Sequence, residues 1–182
     1  MRYSDLSLDI ETLDTVPGGL ICSVGAVPFN ARGVSSDAGF LLRVSIVDGL
    51  RLGLSVDSST LEWWGQQSAV ARAGLENGAV CVCVADLFER LGEFVDAYCD
   101  RDTVRVWTKG PGFDSAFLAV AARRVEKSLP WKFWNDRCVR TICEGVSAPK
   151  RGADNVHHNA LDDAIYQARW VRAARRLKSV NL

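Results

Sequence analysis

The feature that most limits what this chain can become lies near its start. Leu6, Ser7, Leu8, Asp9 and Ile10 alternate apolar and polar. On a strand this places Leu6, Leu8 and Ile10 on one face and Ser7 and Asp9 on the other. Glu11 continues the polar face, so Asp9 and Glu11 stand side by side at the strand's end. Two carboxylates that close repel each other unless a cation lies between them. A fold built on this strand must bury one face and hold an acidic pair at the end of the other.

The rest of the chain supplies material for such a fold. Its 182 residues are 48% apolar, enough for one domain spanning 1–182 with a sizeable core. Leu20 to Phe29 is rich in β-formers and reads as a second strand, and Phe40 to Ile46 as a third. Pro17-Gly18-Gly19 and Arg32-Gly33 mark the turns between them. Ser59-Thr60-Leu61-Glu62 has the form of a capping box opening a helix that carries Trp63 and Trp64, and Ser68 to Leu75 reads as a second short helix. Leu87, Phe88, Leu91, Phe94 and Val95 give helical spacing over Ala85 to Tyr98. Val104 to Trp107 is a short strand, Lys109-Gly110-Pro111-Gly112 breaks the chain, and a helix follows with Asp114 at its start. A Trp-rich connection with room for one more short strand leads to a short helix over Val139 to Gly145. A loop runs from Pro149 to Asn155, and a last helix from Asn159 to about Leu177. This order is that of an α/β domain, a mixed sheet with helices on both faces.

Charge and cysteines narrow the function classes. Lys plus Arg and Asp plus Glu both number 22, so the chain lacks the overall basic footprint of a duplex-coating protein. Short contacts to one single-stranded end fit it better. None of the six cysteines forms a C-x-x-C pair, and only His157 and His158 stand beside them, which argues against structural zinc. The N-terminal stretch turns acidic within a few residues, and no apolar run is long enough to cross a bilayer. Reduced thiols in a cytoplasm, with no membrane partner, are therefore expected.

Two further segments carry chemistry. Asp114 follows two glycines that let the backbone run close to a neighbour or ligand, although an Asp at a helix start also serves the helix dipole. His157-His158-Asn159-Ala160-Leu161-Asp162-Asp163-Ala164 holds both histidines of the chain. Asn159 can cap the last helix, with Asp162 completing a capping-box exchange. Asp163 is then left over beside Ala160 and Ala164, small enough for close packing on a sheet. His158 has the pKa range needed to take a proton from water. Read singly, each of these residues has a plain structural explanation. Together they match what phosphodiester hydrolysis requires: three or four carboxylates from different elements, holding two divalent ions.

With these segments in hand, the chain resembles the DEDDh exonuclease family, whose fold is ribonuclease H-like. The resemblance rests on LDIET with Asp9 and Glu11, GFD with Asp114, and HNALDDA with His158 and Asp163, in that order. The stretches TLEWWGQQSAVARAGL and KFWNDRCVRTI are similar to those of a branch with a phage exodeoxyribonuclease and bacterial 3′–5′ exoribonucleases. Asn159 stands where the tyrosine-containing class would have Tyr. The resemblance implies that Asp9, Glu11 and Asp163 hold a catalytic Mg²⁺ or Mn²⁺, that Asp9 bridges to a second ion supported by Asp114, and that His158 is the general base. It implies single-stranded RNA or DNA 3′ ends as substrate and 5′-nucleoside monophosphates as product. Thr12 and Leu13 would form the floor beneath the sugar. The middle motif departs from the family, which often has Asn a few residues before its Asp where this chain has Lys109-Gly110-Pro111-Gly112. A catalytically silent nucleic-acid-binding module on the same fold is the alternative, though it would be expected to have lost one of the five residues. The resemblance also implies helices that could form a two-fold homodimer.

Two features remain. Trp63 and Trp64 either pack or offer a face to a terminal base, and packing is the expectation for aromatics on a helix. Arg169, Arg172, Arg175, Arg176 and Lys178 read mainly as a solvated face placed favourably toward a helix C-terminus.

Overall fold

A computed structural model describes residues 2–73, 75, 80–110, 112–152 and 156–180. Gly74 of the expected second helix, Pro111 of the chain break and the end of the loop at 153–155 lie outside the described residues.

Five strands form one sheet: β1 (Asp5–Thr12), β2 (Ile21–Phe29), β3 (Phe40–Arg43), β4 (Arg105–Thr108) and β5 (Asp136–Cys138). Their order is β3-β2-β1-β4-β5. β1 pairs antiparallel with β2 and parallel with β4, so the sheet is mixed, as expected. Among the described residues seven α-helices accompany it: α1 (Ile46–Arg51), α2 (Ser58–Gly65), α3 (Ala69–Arg72), α4 (Val84–Tyr98), α5 (Asp114–Arg124), α6 (Val139–Ile142) and α7 (Ala160–Val180).

The alternation read at the start of the chain divides the core in two. Leu6, Leu8 and Ile10 pack with Leu87, Phe88 and Leu91 of α4 and Phe117, Leu118 and Ala121 of α5. The opposite face of the sheet, at Val27, Phe29 and Trp107, is covered by Ala164, Ala168, Val171 and Ala174 of α7. Small residues at helical spacing let α7 lie close to the sheet. The closest approach is at Gly25 of β2, where a Cβ would stand 2.1 Å from the backbone carbon of Ala160. Only glycine allows that contact.

Several local expectations are corrected. β3 stops at Arg43, and Ile46 opens α1 instead of extending the strand. Ser45 caps that helix through Asp48 N, and Asp48 in turn accepts from Val84 N at 2.8 Å, a contact 36 residues away. The cap of α2 is Asp57, which accepts from Thr60 N at 2.9 Å, so Ser59 is already inside the helix and the Ser59–Glu62 box does not form. An acidic cap two residues earlier satisfies the same orphan N–H groups. Asn159 does cap α7, accepting from Leu161 N and Asp162 N, but Asp162 reaches past it to Val156 N at 2.9 Å.

Candidate active site

β4 pairs only with Asp5, Leu6 and Ser7 of β1, so the edge of β1 is open beyond that point. Asp114 fills the opening, and its Oδ1 accepts the Ile10 N–H at 3.2 Å. This brings the middle carboxylate against the acidic pair. From the other side, α7 lies along the polar face of β1. Glu11 stands near Asp163, Asp9 Oδ1 accepts from Gln167 Nε2 at 2.6 Å, and Asp5 accepts from Arg175 at 3.1 Å. Six strand residues span about 20 Å and twelve helical residues about 18 Å, so strand and helix stay in step along this ladder.

His158 is placed by an uncommon backbone. Its φ is 62°, in the left-handed region, and its N–H donates to Asp163 Oδ2 at 3.0 Å. That bond ties the histidine to the carboxylate it accompanies. Glu11, His158 and Asp163 each offer a ligand atom within 4.8 Å of one another. Arg151 bridges from the preceding loop, donating to Asp163 while its guanidinium lies 4.1 Å above the Tyr166 ring. Asp9, Glu11, Lys109, Arg151, His158 and Gln167 all border one cavity of about 220 Å³.

The electrostatics follow from four acids in one place. Burial, then Asp114, Glu11 and Asp163, push the Asp9 carboxyl well above its ordinary value, and the Gln167 bond only partly offsets them. Burial, Asp163 and Asp114 raise Glu11 to about 8. Burial raises Asp114 to about 6, against backbone N–H bonds that include the one from Ile10. Burial lowers the pKa of His158, although Asp163 works the other way. Such a cluster is poor at holding charge unaided and well suited to a hard divalent cation, which takes carboxylate oxygens.

A larger cavity of about 460 Å³ adjoins the first and shares Ile10 and Glu11 with it. Thr12, Thr60, Trp63 and Phe113 line it. Thr12 is thus beside the acids, as expected. Leu13 is buried in the core and does not border this space. The two tryptophans divide between the two roles considered for them. Trp64 is 3% exposed and donates from Nε1 to Thr12 O at 2.9 Å. Trp63 is 41% exposed and packs edge-on against His158, with ring centroids 4.8 Å apart.

The five expected residues therefore converge. Gln167 and Arg151 also belong to the site and were not among them. Gln167 carried a signal: four residues after Asp163, it lies one helical turn along the same face. Arg151, on a loop, carried none.

Acids at the end of a central strand and on a closing helix stand over a mixed sheet whose fold is ribonuclease H-like, as in the nuclease domain of 3′hExo, a DEDDh family member, which aligns with a TM-score of 0.57 at 15% identity over 97% of this chain and 93% of that one. Residues 4–175 match the model of the 3′-5′ exoribonuclease Rv2179c-like domain, and the chain belongs to that family. A curated relative is the exodeoxyribonuclease of Enterobacteria phage T4, 28% identical over 102 residues. These are 48% of this chain and 45% of the phage enzyme, so the match spans less than half of that relative's length. Among solved structures, E. coli Exonuclease I in complex with a 5cy-dT13 oligonucleotide aligns with a TM-score of 0.67 at 13% identity, over 99% of this chain and 42% of that one. The Mg²⁺- and Mn²⁺-bound form of S. pombe Pop2p aligns with a TM-score of 0.61 at 16% identity, over 95% and 83%. No helix among the described residues is long and apolar enough to cross a membrane, and all six cysteines are free thiols.

Proposed function

We propose that this protein is a metal-dependent 3′→5′ exonuclease that removes 5′-nucleoside monophosphates from the 3′ end of single-stranded RNA or DNA. The observation that carries this reading is the meeting of Asp9 and Glu11 of β1 with Asp163 of α7 around a histidine in one cavity, with Asp114 of α5 set against them through the Ile10 N–H. The family and the oligonucleotide bound to the Exonuclease I structure support it.

The donor set fits two Mg²⁺ or Mn²⁺ ions: all-oxygen ligands, four carboxylates, and raised pKa values that a cation would relieve. Asp9, Glu11 and Asp163 would hold one ion, and Asp9 with Asp114 the other. When bound, such ions make water nucleophilic and stabilise charge on the phosphate and the leaving oxygen. His158, held neutral near pH 7 by its lowered pKa, accepts the proton of the attacking water. The water oxygen bonds to phosphorus, the P–O3′ bond breaks, and O3′ leaves with the electron pair and is then protonated. Trp63 and Phe113, beside the acids, offer apolar surface to the terminal nucleoside, and Thr12 lies where its sugar would rest.

The experiment is direct. Matched 5′-labelled single-stranded RNA and DNA are incubated with the protein and Mg²⁺ or Mn²⁺. A ladder shortening from the 3′ end is expected, absent with EDTA and with Asp9→Ala. Intact substrate of both kinds would overturn the proposal.

A further inference from the structure

The chain has a net charge of zero, but its charge is not evenly spread. No Asp or Glu follows Asp163, while Arg169, Arg172, Arg175, Arg176 and Lys178 do. The second half of α7 and the turn after β2 enclose a groove of about 620 Å³, bordered by Asn30, Ala31 and the four arginines. Two of these arginines are fixed in place. Arg172 donates from Nε to Asn30 O at 3.0 Å and from Nη2 to Ala31 O at 3.1 Å. Arg175 donates to Asp5, a buried carboxylate already engaged by both arms of Arg105. Arg169 and Arg176 are exposed and form no ion pair among the described residues.

A solvated face is the usual fate of exposed arginines. This groove differs in being concave and in holding two guanidinium groups still through bonds to the protein. Like charges gathered in a concave space repel one another, and an anion is the ligand that offsets them. Guanidinium forks match phosphate oxygens in particular. Arg169 and Arg176 lie six and thirteen residues beyond Asp163, which is roughly 9 and 20 Å along the helix axis. Both arginines lie about 120–140° around the helix from Asp163, so a nucleic acid held by its 3′ end at the carboxylates would carry its next phosphates to them by passing over the outer face of α7.

Resting on the nuclease reading above, we propose that this groove is a second substrate site, binding the phosphodiester backbone upstream of the cleaved 3′ end. It makes longer strands better substrates and takes no part in the chemistry.

The test uses the full chain with Arg169→Ala and Arg176→Ala together, both exposed and clear of the carboxylates. Arg51→Ala with Arg90→Ala is the charge-matched control. Binding of a long fluorescent single strand is followed by anisotropy in EDTA, from about 50 to 200 mM salt. Loss of two phosphate contacts should flatten the log Kd against log salt slope by about 1.4. In Mg²⁺ the KM for the long strand should rise while kcat/KM for a dinucleotide stays at the wild-type value. An unchanged slope, or an equal change in the control, overturns the groove. So does loss of binding to anionic lipid vesicles with oligonucleotide binding intact, which would make a membrane surface the occupant. Wild-type protein that cleaves neither substrate would instead sink the nuclease reading, an outcome distinct from failure of the groove alone.

Discussion

Gln167 on α7 reaches across to β1 and donates to Asp9 at 2.6 Å, while its own Oε1 is buried without a hydrogen-bond partner. A buried acceptor left unmade costs stability, so the residue is poorly explained as filler. It is well explained as a group that fixes the carboxylate expected to bridge two ions. Gln167→Leu should lower Mn²⁺ affinity about 10- to 100-fold. Its metal-free melting temperature should change little, because the unpartnered Oε1 is removed while Asp9 loses its donor. Titration calorimetry reads the first and thermal unfolding in EDTA the second. Unaltered Mn²⁺ affinity would show that Asp9 needs no such support.

His158→Ala should reduce kcat about 10²- to 10⁴-fold, the usual range for a general base, with KM little changed. Burial holds the histidine below its ordinary pKa of 6.5, which favours the neutral imidazole a base requires. Steady-state kinetics on a dinucleotide checks this, and a kcat within a few-fold of wild type would remove His158 from the proton transfer.

Trp63 and Trp64 should part company. Trp63→Ala loses a stacking surface worth about 1–3 kcal/mol, seen as a raised KM with folding intact. Trp64→Ala should destabilise the fold by about 3–5 kcal/mol, because its buried ring and its bond to Thr12 O are both lost. Denaturant unfolding beside kinetics separates the two. Equal effects on both readouts would contradict the division.

The acids also set a pH dependence. Glu11 titrates near 8 in the folded protein against 4.5 ordinarily, and Asp114 near 6 against 3.8. The folded state therefore binds more protons than the unfolded one between those values. Stability conferred by the protonated groups is full below about 4 and is lost as pH rises from there through about 6 for Asp114 and about 8 for Glu11. Without metal, the melting temperature should fall between pH 5 and about 8.5. Mn²⁺ should raise it, most at the alkaline end, where the cation replaces the lost protons. Glu11→Gln should flatten the EDTA profile, and a profile equally steep in that variant would assign the effect elsewhere.

Much of this arrangement was legible because it is local. The alternation of Leu6 to Ile10, the Asn159 cap and the placing of Asp163 one turn into α7 are short-range patterns that survive folding. What escaped is held by distant partners. α1 begins with the β-branched Ile46 and Val47, and its placement depends on Asp48 meeting Val84 N. Asp5 carries no local signal of burial. It is fully buried, because Arg105, Trp107 and Arg175, between 100 and 170 residues away, close around it. Burial disfavours its charge, but bonds from Arg105, Ser4 and Trp107 win and hold its pKa below the ordinary value. Leu13 is placed by an irregularity the sequence does not show. The register shifts between Glu11 and Thr12, which breaks the strand alternation, so Thr12 borders the cavity and Leu13 joins Leu6, Leu8 and Ile10 in the core.

The contact between Gly25 and the first turn of α7 has a consequence for how such a site can vary. Two backbones meet there with only hydrogen between them, so the width of the acidic cleft is a main-chain dimension. Side chains around a cleft can be exchanged by degrees, widening or narrowing it a little at a time. A main-chain dimension offers no such gradation: a single added methyl group must displace the helix start, and His158 and Asp163 move with it, away from Asp9 and Glu11. Diversity of substrate then has to arise at the rim, at positions such as Thr12, Trp63 and Phe113, while the gauge of the centre stays fixed.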